Sequence, residues 1–70
     1  MHADTIKDVL HAQPFHPFTL RTVSGEDYLV EHPDFVWLTR GGRTIYISLP
    51  GGEGERVRIV DTALIERIET

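Results

Sequence analysis

Apolar residues near the start of the chain recur at the spacing of a helix. The apolar stripe consists of Ile6, Val9 and Leu10. Their i, i+3, i+4 spacing predicts an amphipathic helix over residues 4–13, with Asp4 or Thr5 as its N-cap and Pro14 as its stop. Because a helix this short is marginal alone, its apolar stripe must pack on the rest of the chain.

From Phe18 onward, apolar and polar residues alternate, and short β-branched or aromatic runs are separated by glycine, proline and aspartate. This pattern predicts strands. The predicted strands cover residues 18–23, 27–31, 35–40, 43–49, 56–60 and 65–69. A helix followed by five or six antiparallel strands indicates one small α+β domain, mostly β, over residues 1–70. We expect a small barrel, because closure removes exposed strand edges; a flat meander carrying the helix on one face is the alternative.

The Gly41–Gly42 pair is the clearest turn, because glycine accepts the positive φ angles of a two-residue hairpin. Such a turn makes residues whose numbers sum to 83 face one another. The predicted inner-face pairs are Leu38 with Ile45 and Val36 with Ile47, and the predicted outer-face pair is Trp37 with Tyr46. The hairpin therefore predicts which side chains enter the core.

The fifth strand is predicted to place Val57 and Ile59 inward and Arg56 and Arg58 outward. Residues 61–64 then indicate a single capped turn before the last strand.

Three other segments have predicted local roles. In His32–Pro33–Asp34, the Asp34 side chain is expected to hold the turn that ends the second strand. Phe15 and Phe18 are expected to anchor the proline-rich connector. The glycine-rich residues 50–55 are expected to be the most mobile part.

Composition narrows the functional classes. The 70 residues contain no cysteine, which excludes a disulfide framework, an iron–sulfur cluster and a cysteine-rich zinc finger. Stability must therefore come from packing or self-association. The net charge of −4 lacks the basic excess of nucleic-acid binders, although it leaves room for a local basic patch. Without a spanning apolar run or a signal-peptide pattern, we expect a soluble cytoplasmic protein that does not bind membranes.

Several strings resemble a family of small bacterial proteins of unknown function. They are Leu10-His11-Ala12-Gln13-Pro14-Phe15-His16-Pro17-Phe18-Thr19, Gly25, His32-Pro33-Asp34-Phe35, Gly42-Arg43-Thr44, Asp61 and Leu64-Ile65. The resemblance covers nearly the whole chain. It implies a bacterial origin but supplies no activity, partner or catalytic residue.

A second resemblance is to Sm-like proteins, including the bacterial Sm-like RNA chaperones. It rests on Gly25, on Asp34 followed by Phe35-Val36-Trp37-Leu38, and on Ile65-Glu66-Arg67-Ile68. It implies an amino-terminal helix with five bent strands, and rings formed through strand edges. The asparagine common after the aspartate motif is missing, and Val60-Asp61-Thr62 replaces the usual basic residue, so RNA contacts that depend on those positions are lost. Src-homology-3-like barrels end with a similar strand and are an equal alternative.

Metal, cofactor and catalytic patterns are weak. The four histidines are His2, His11, His16 and His32. Their spacing does not match a zinc site, and His32 with Asp34 is better explained as a turn than as an acid–base pair. Ser24 and Ser48 lack the glycines of a nucleophile elbow, and the acidic glycine-rich loop would repel phosphate. We expect neither an enzyme nor a bound cofactor or metal.

The candidate partner-binding residues are Trp37, Tyr46, Arg40, Arg43, Arg56 and Arg58. An outward tryptophan beside a tyrosine is typical of an interaction hot spot, although the helix or the Phe15 connector could instead cover Trp37. Arginines interleaved with aromatics are typical of single-stranded RNA binding, although nearby carboxylates such as Glu53 and Glu55 could neutralise them.

The sequence thus predicts a non-enzymatic small β-barrel interaction module that self-associates or binds a protein partner. The alternative is an Sm-like single-stranded RNA-binding protein, which the net charge disfavours.

Overall fold

The computed structural model describes residues 1–50 and 56–70, and within these ranges the chain forms one helix and six strands. The helix α1 spans Ala3–Leu10, and the strands are β1 (Phe18–Thr22), β2 (Asp27–Val30), β3 (Val36–Leu38), β4 (Thr44–Leu49), β5 (Arg56–Asp61) and β6 (Ile65–Glu69). Short 3₁₀ turns, Pro33–Phe35 and Thr62–Leu64, precede β3 and β6. The α+β, mostly β class is confirmed.

The strands form two three-stranded antiparallel sheets, ordered β2-β1-β6 and β3-β4-β5. No closed barrel is found among the described residues, so the sheets keep four open edges at β2, β6, β3 and β5. The expected barrel is therefore not confirmed in this closed form. The two 3₁₀ turns carry the chain from one sheet to the other.

The helix is shorter than the predicted range 4–13. Its N-cap is His2, whose side chain makes no capping hydrogen bond, so the expected cap at Asp4 or Thr5 is wrong. The helix ends at Leu10, and the His11 amide donates to the Lys7 carbonyl. Pro14 restricts Gln13 but lies four residues beyond Leu10, so it is not the direct stop that the sequence predicted.

The core lies between the two sheets and under the helix. Its buried apolar residues are Ile6, Leu10, Phe18, Leu20, Tyr28, Val30, Val36, Ile45, Ile47 and Ile65. Both expected connector anchors contribute: Phe18 is buried, and the half-buried Phe15 packs against it with ring centroids 5.9 Å apart. Burial alternates along β1, so Phe18, Leu20 and Thr22 face the core.

The predicted pairing of β3 with β4 is confirmed. Val36 faces Ile47, Trp37 faces Tyr46 and Leu38 faces Ile45. The turn itself differs, because residues 40–43 form a four-residue loop closed by the Thr39 amide donating to the Thr44 carbonyl at 3.0 Å. The register survives because this loop is symmetric about the same two glycines.

Only Gly42 of the glycine pair adopts a positive φ angle, of 72°. Its amide donates to the Thr39 carbonyl at 2.8 Å, which places Arg40 and Gly41 at the centre of the turn. A Cβ atom at position 42 would lie 2.7 Å from the Ala3 Cβ, so glycine is also required for the helix to pack on the hairpin.

The predicted facing of β5 is wrong. In the observed register, Arg58 lies opposite the buried Ile47, and Ile59 lies opposite Tyr46. Opposed residues point to the same face of a sheet, so Arg56 and Arg58 lie on the core side and Val57 and Ile59 on the outer side. The apolar alternation of β5 gave the opposite assignment because it contains no information about register.

The remaining turns differ in how well they were predicted. Asp61 caps the turn Thr62–Leu64 by accepting from the Ala63 amide at 2.8 Å, as expected. At Pro33–Phe35 the expected role of Asp34 is wrong, because His32 Nδ1 accepts from the Asp34 amide at 3.1 Å. The loop expected to be mobile lies outside the described residues except for Pro50.

We predict that Gly42→Ala lowers the free energy of unfolding by about 2 kcal/mol, through left-handed backbone strain and overpacking on Ala3. The matched control is Gly41→Ala, whose added methyl meets nothing within 4 Å and whose φ is not positive. We expect that control to stay within about 0.5 kcal/mol of the wild type. Urea unfolding measures both; equal losses would contradict the assigned turn.

Candidate interaction surface

One row of large side chains crosses the outer side of the β3-β4-β5 sheet. Trp37 lies opposite Tyr46, and Tyr46 lies opposite Ile59, so the three side chains adjoin one another across three strands. Trp37 is 55% exposed and Ile59 64% exposed. With the exposed Val57 two residues from Ile59, these four residues form what we call the aromatic face: Trp37, Tyr46, Val57 and Ile59.

Among the residues that the structure describes, those on the outer side of this sheet carry little charge. The polar neighbours of the aromatic face on the same side of the sheet are Thr39, Thr44, Ser48 and Asp61. Asp61 is the single charged residue in this set, and its carboxylate already accepts the amide of Ala63. The surface is therefore an apolar centre with a mostly uncharged rim.

The outer side of the other sheet has the opposite character. Arg21 forms a two-pronged ion pair with Asp27, with distances of 2.8 and 2.9 Å, and Arg67 Nε lies 2.8 Å from a carboxylate oxygen of Glu69. Leu29 is the large apolar residue exposed there. Because side-chain ion pairs cover this side, the two sheets present chemically different surfaces to their surroundings.

The exposure of Trp37 decides between the two alternatives left by the sequence. Lys7 and His11 at the end of the helix line a cavity together with Trp37, so the helix adjoins the tryptophan. Trp37 nevertheless stays 55% exposed, so the helix does not cover it. Trp37 is thus a surface residue of the folded chain.

The four candidate arginines do not converge with the aromatic residues. Arg40 and Arg43 lie in the loop that precedes Thr44, whereas Arg56 pairs with Leu49 at the other end of β4. Five residues of strand separate these ends, which corresponds to roughly 17 Å. Arg58 lies on the core side of β5, away from Trp37 and Tyr46.

Arg58 instead links the two sheets through a polar cluster with Tyr28 and Glu26. Its Nε donates to the Tyr28 hydroxyl at 3.2 Å, and its NH2 group donates to a Glu26 carboxylate oxygen at 2.9 Å. Tyr28 donates its own hydroxyl proton to the same oxygen at 3.0 Å, and the guanidinium carbon lies 6.0 Å from the Tyr28 ring centroid. We call these three residues the Arg58 cluster.

The Arg58 cluster shifts two pKa values. The hydrogen bond from Tyr28, followed by the positive charge of Arg58, holds the pKa of Glu26 below its usual value. The hydrogen bond with Tyr28, together with the charge of Glu26, raises the pKa of Arg58. Both shifts favour the charged forms of Glu26 and Arg58. The sequence did not predict this structural role of Arg58, because its partners lie 30 or more positions away in the chain.

The residues considered for metal binding and catalysis have local structural contacts. His32 Nδ1 lies 3.6 Å from an Asp34 carboxylate oxygen, and both side chains are largely exposed. The Ser24 hydroxyl lies 2.9 Å from that of Thr22, within the β1–β2 turn. In residues 1–50 and 56–70, no three histidine or acidic side chains come together to hold a metal ion.

None of the helical segments in the described part of the chain has the length and apolar character needed to cross a lipid bilayer. Comparisons with protein-family models, with curated proteins and with solved structures give no match to this chain. The resemblances noted from the sequence therefore stay predictions.

We predict that Tyr28→Phe raises the pKa of Glu26, and that Arg58→Gln raises it as well, because each change removes a stabiliser of the carboxylate. A lowered folded-state pKa stabilises the fold above about pH 4.3, and this contribution disappears as the pH falls through the lowered pKa. Both variants should therefore show a weaker loss of stability on acidification.

The measurement is an NMR titration of the Glu26 side chain, combined with urea unfolding at several pH values. Arg56→Gln is the matched control, because Arg56 is on the same side of the same strand but is not part of the Arg58 cluster. A Glu26 pKa that is equal in the wild type and in Tyr28→Phe would refute the assigned cause.

Proposed function

We propose that this chain is a non-enzymatic interaction module that binds a protein surface, its own copy or another protein, through the aromatic face and the adjoining edge of β5. The observation that carries the proposal is the continuous row Trp37–Tyr46–Ile59, on a side of the sheet where the described residues include one charged residue, Asp61. Depletion of charge and enrichment in aromatic residues distinguish the centres of protein interfaces from ordinary surface.

The chemistry of each residue in the row fits this role. Trp37 and Tyr46 offer large rigid surfaces that lose little side-chain entropy on binding, and Ile59 extends the apolar area towards an open strand edge. The hydroxyls of Thr44 and Ser48 lie at the rim as polar groups, and the Thr39 hydroxyl there accepts from the Thr44 amide at 3.2 Å. The fold holds this surface rigid, because β4 is paired on both of its edges.

The order of elements supports a more specific fold within the proposal. An amino-terminal helix, a β1–β2 hairpin, a β3–β4–β5 meander and a β6 that returns to pair with β1 agree with an incomplete Sm-like or Src-homology-3-like barrel. In this interpretation the barrel has two gaps among the described residues, one between β2 and β3 and one between β5 and β6. The gap between β5 and β6 leaves the β5 edge accessible.

RNA binding has less support than protein binding. Arg58 is committed to Glu26 and lies on the core side, and Arg56 and the Arg40–Arg43 loop occupy opposite ends of β4. A base stacked on Trp37 would therefore find no arranged set of cations for its phosphates. Retardation of single-stranded RNA at low salt, lost on Trp37→Ala, would favour this alternative over the proposal.

We predict that Trp37→Ala weakens binding of the partner roughly 30-fold, as expected for a central aromatic anchor. Proteins captured from a bacterial extract by immobilised chain are identified, purified and titrated against the wild type and the variant. Trp37 is the sole tryptophan, so its own fluorescence should shift to shorter wavelength when the aromatic face is covered.

The control is Leu29→Ala, which truncates an apolar residue of similar exposure on the other sheet and should change the affinity less than about two-fold. Sedimentation of the purified chain over a wide concentration range tests the case in which the partner is a second copy. The proposal is overturned if Trp37→Ala and Ile59→Ala change neither self-association nor the affinity of any purified partner.

A further inference from the structure

Strand β5 has one edge whose backbone groups are free to pair. The Thr62 amide donates to the Arg43 carbonyl at 2.8 Å, which continues the β4–β5 ladder past Asp61. Antiparallel ladders alternate, so the even-numbered residues of β5 bond to β4, and Val57, Ile59 and Asp61 direct their N–H and C=O groups to the opposite side. Within the described residues, no backbone hydrogen bond joins that side to another strand.

The β5 edge differs from the three other open edges. It has six residues, against five in β6, four in β2 and three in β3. Strand β6 carries Glu66, Arg67 and Glu69, and β5 carries Arg56, Arg58 and Asp61, so both strands have charges of the kind that oppose edge pairing. What distinguishes β5 is that it combines the longest edge with the exposed apolar side chains of Val57 and Ile59.

We propose that a second copy of the chain occupies this edge, with the two β5 strands paired antiparallel about a two-fold axis at Ile59. This inference rests on the proposed function and names the partner at the β5 edge. The pairing joins the two β3-β4-β5 sheets into one six-stranded sheet, held by about six main-chain hydrogen bonds. A two-fold axis is the common symmetry of soluble homodimers, because it makes a single surface bind to itself.

The charge pattern of β5 selects this register. Centred on Ile59, the pairing sets Ile59 against Ile59, Val57 against Asp61, and Arg58 against Val60 of the second copy. Centred on Arg58, it would oppose two arginines in a non-hydrogen-bonded pair, where side chains are closest. Centred on Val60, it would form fewer main-chain hydrogen bonds, because only Ile59 and Asp61 would find partners within the strand.

The Ile59 register also aligns the aromatic faces of the two copies. Since Ile59 lies opposite Tyr46, and Tyr46 opposite Trp37, the row continues through the axis into the same three residues of the second copy. One uninterrupted apolar row of both copies results, which doubles the surface proposed to bind a partner. On the other side of the sheet, the incoming strand lies along a groove of about 600 Å³.

That groove separates the β5 edge from the β1–β2 turn, and its rim carries Val23 and Leu64. Val23 is 61% exposed, and Leu64 is also largely exposed. A strand beside β5 would shield both from water. The edge geometry, the charge pattern and the apolar rim are thus explained by the same occupant.

The test uses charge reversal at the two-fold axis. We predict that Ile59→Lys and Ile59→Glu each weaken self-association of the full chain at least about 100-fold, because each opposes like charges at the axis. Mixing the two variants should restore a dimer, since lysine then faces glutamate. Sedimentation equilibrium and native mass spectrometry measure the mass, and circular dichroism checks that each variant folds.

Leu29→Lys is the matched control, because Leu29 is also an exposed apolar residue but lies on the outer side of the other sheet, away from the β5 edge. We expect this variant to remain dimeric. Ile59→Val keeps a β-branched apolar side chain at the axis and should also remain dimeric. It shows whether the charge, rather than any change at position 59, weakens the association.

The inference is overturned by a wild type that stays monomeric at millimolar concentration, by an assembly larger than a dimer, or by mixed variants that fail to associate. A monomer whose purified partner still binds in a Trp37-dependent way would overturn the dimer and leave the proposed function standing. A dimer with the predicted behaviour at position 59 but with no Trp37-dependent partner would support the edge pairing alone.

Discussion

The alternation of side chains along β4 is the constraint on which the rest of the structure depends. Ile45 and Ile47 point into the core, and Tyr46, between them, points to the outer side. Both edges of β4 are paired, so its register fixes the facing of β3 and β5 at once. A slip of one residue would expose two isoleucines and bury a tyrosine, a change that reverses both sides of the sheet.

The start of β4 is held by a buried threonine, Thr62. The Thr62 hydroxyl donates to the Gly42 carbonyl at 2.8 Å, and its amide donates to the Arg43 carbonyl. Gly42 in turn packs against Ala3 of the helix. The start of the helix, the hairpin loop and the turn before β6 therefore meet at one point, and this junction lets a chain without disulfides hold its two sheets in a fixed relation.

The sequence predicted the β3–β4 hairpin because its two sources of information agree. The alternation of apolar residues identifies the inner side, and the glycine pair centres the pairing. A four-residue loop and a two-residue loop with the same centre produce the same pairs, so the error in the turn left Trp37 and Tyr46 correctly placed. This half of the candidate surface was accessible without a structure.

The facing of β5 was not accessible in the same way. Valine and isoleucine alternate there with arginine, and local pattern assigns the apolar residues to the core. The observed pair Leu49–Arg56 closes the β4–β5 connection, and it carries the inward side of β4 onto Arg56 and Arg58. Arg58 is stabilised there by hydrogen bonds with Tyr28 and Glu26. The sequence of β5 alone cannot predict these contacts. Six residues separate Leu49 from Arg56 in the sequence. Pairing the two predicted strand ends, Leu49 and Arg56, would have placed Arg56 on the same side as Leu49, and this was the signal in the sequence that favoured the observed facing.

Strand propensity does not account for the aromatic face. Aromatic and β-branched residues favour strands, but the outer positions of β1 and β6 include Arg21, Arg67 and Glu69, so a strand of this fold does not require apolar residues there. Threonine or a charged residue at position 37 or 59 would leave the core contacts untouched, because both side chains are mostly outside it. Exposed apolar side chains beside an open strand edge also favour unwanted aggregation. Folding therefore explains the inner side of the β3-β4-β5 sheet, whereas it does not explain the composition of the outer side, and this difference is the basis of the proposed interaction surface.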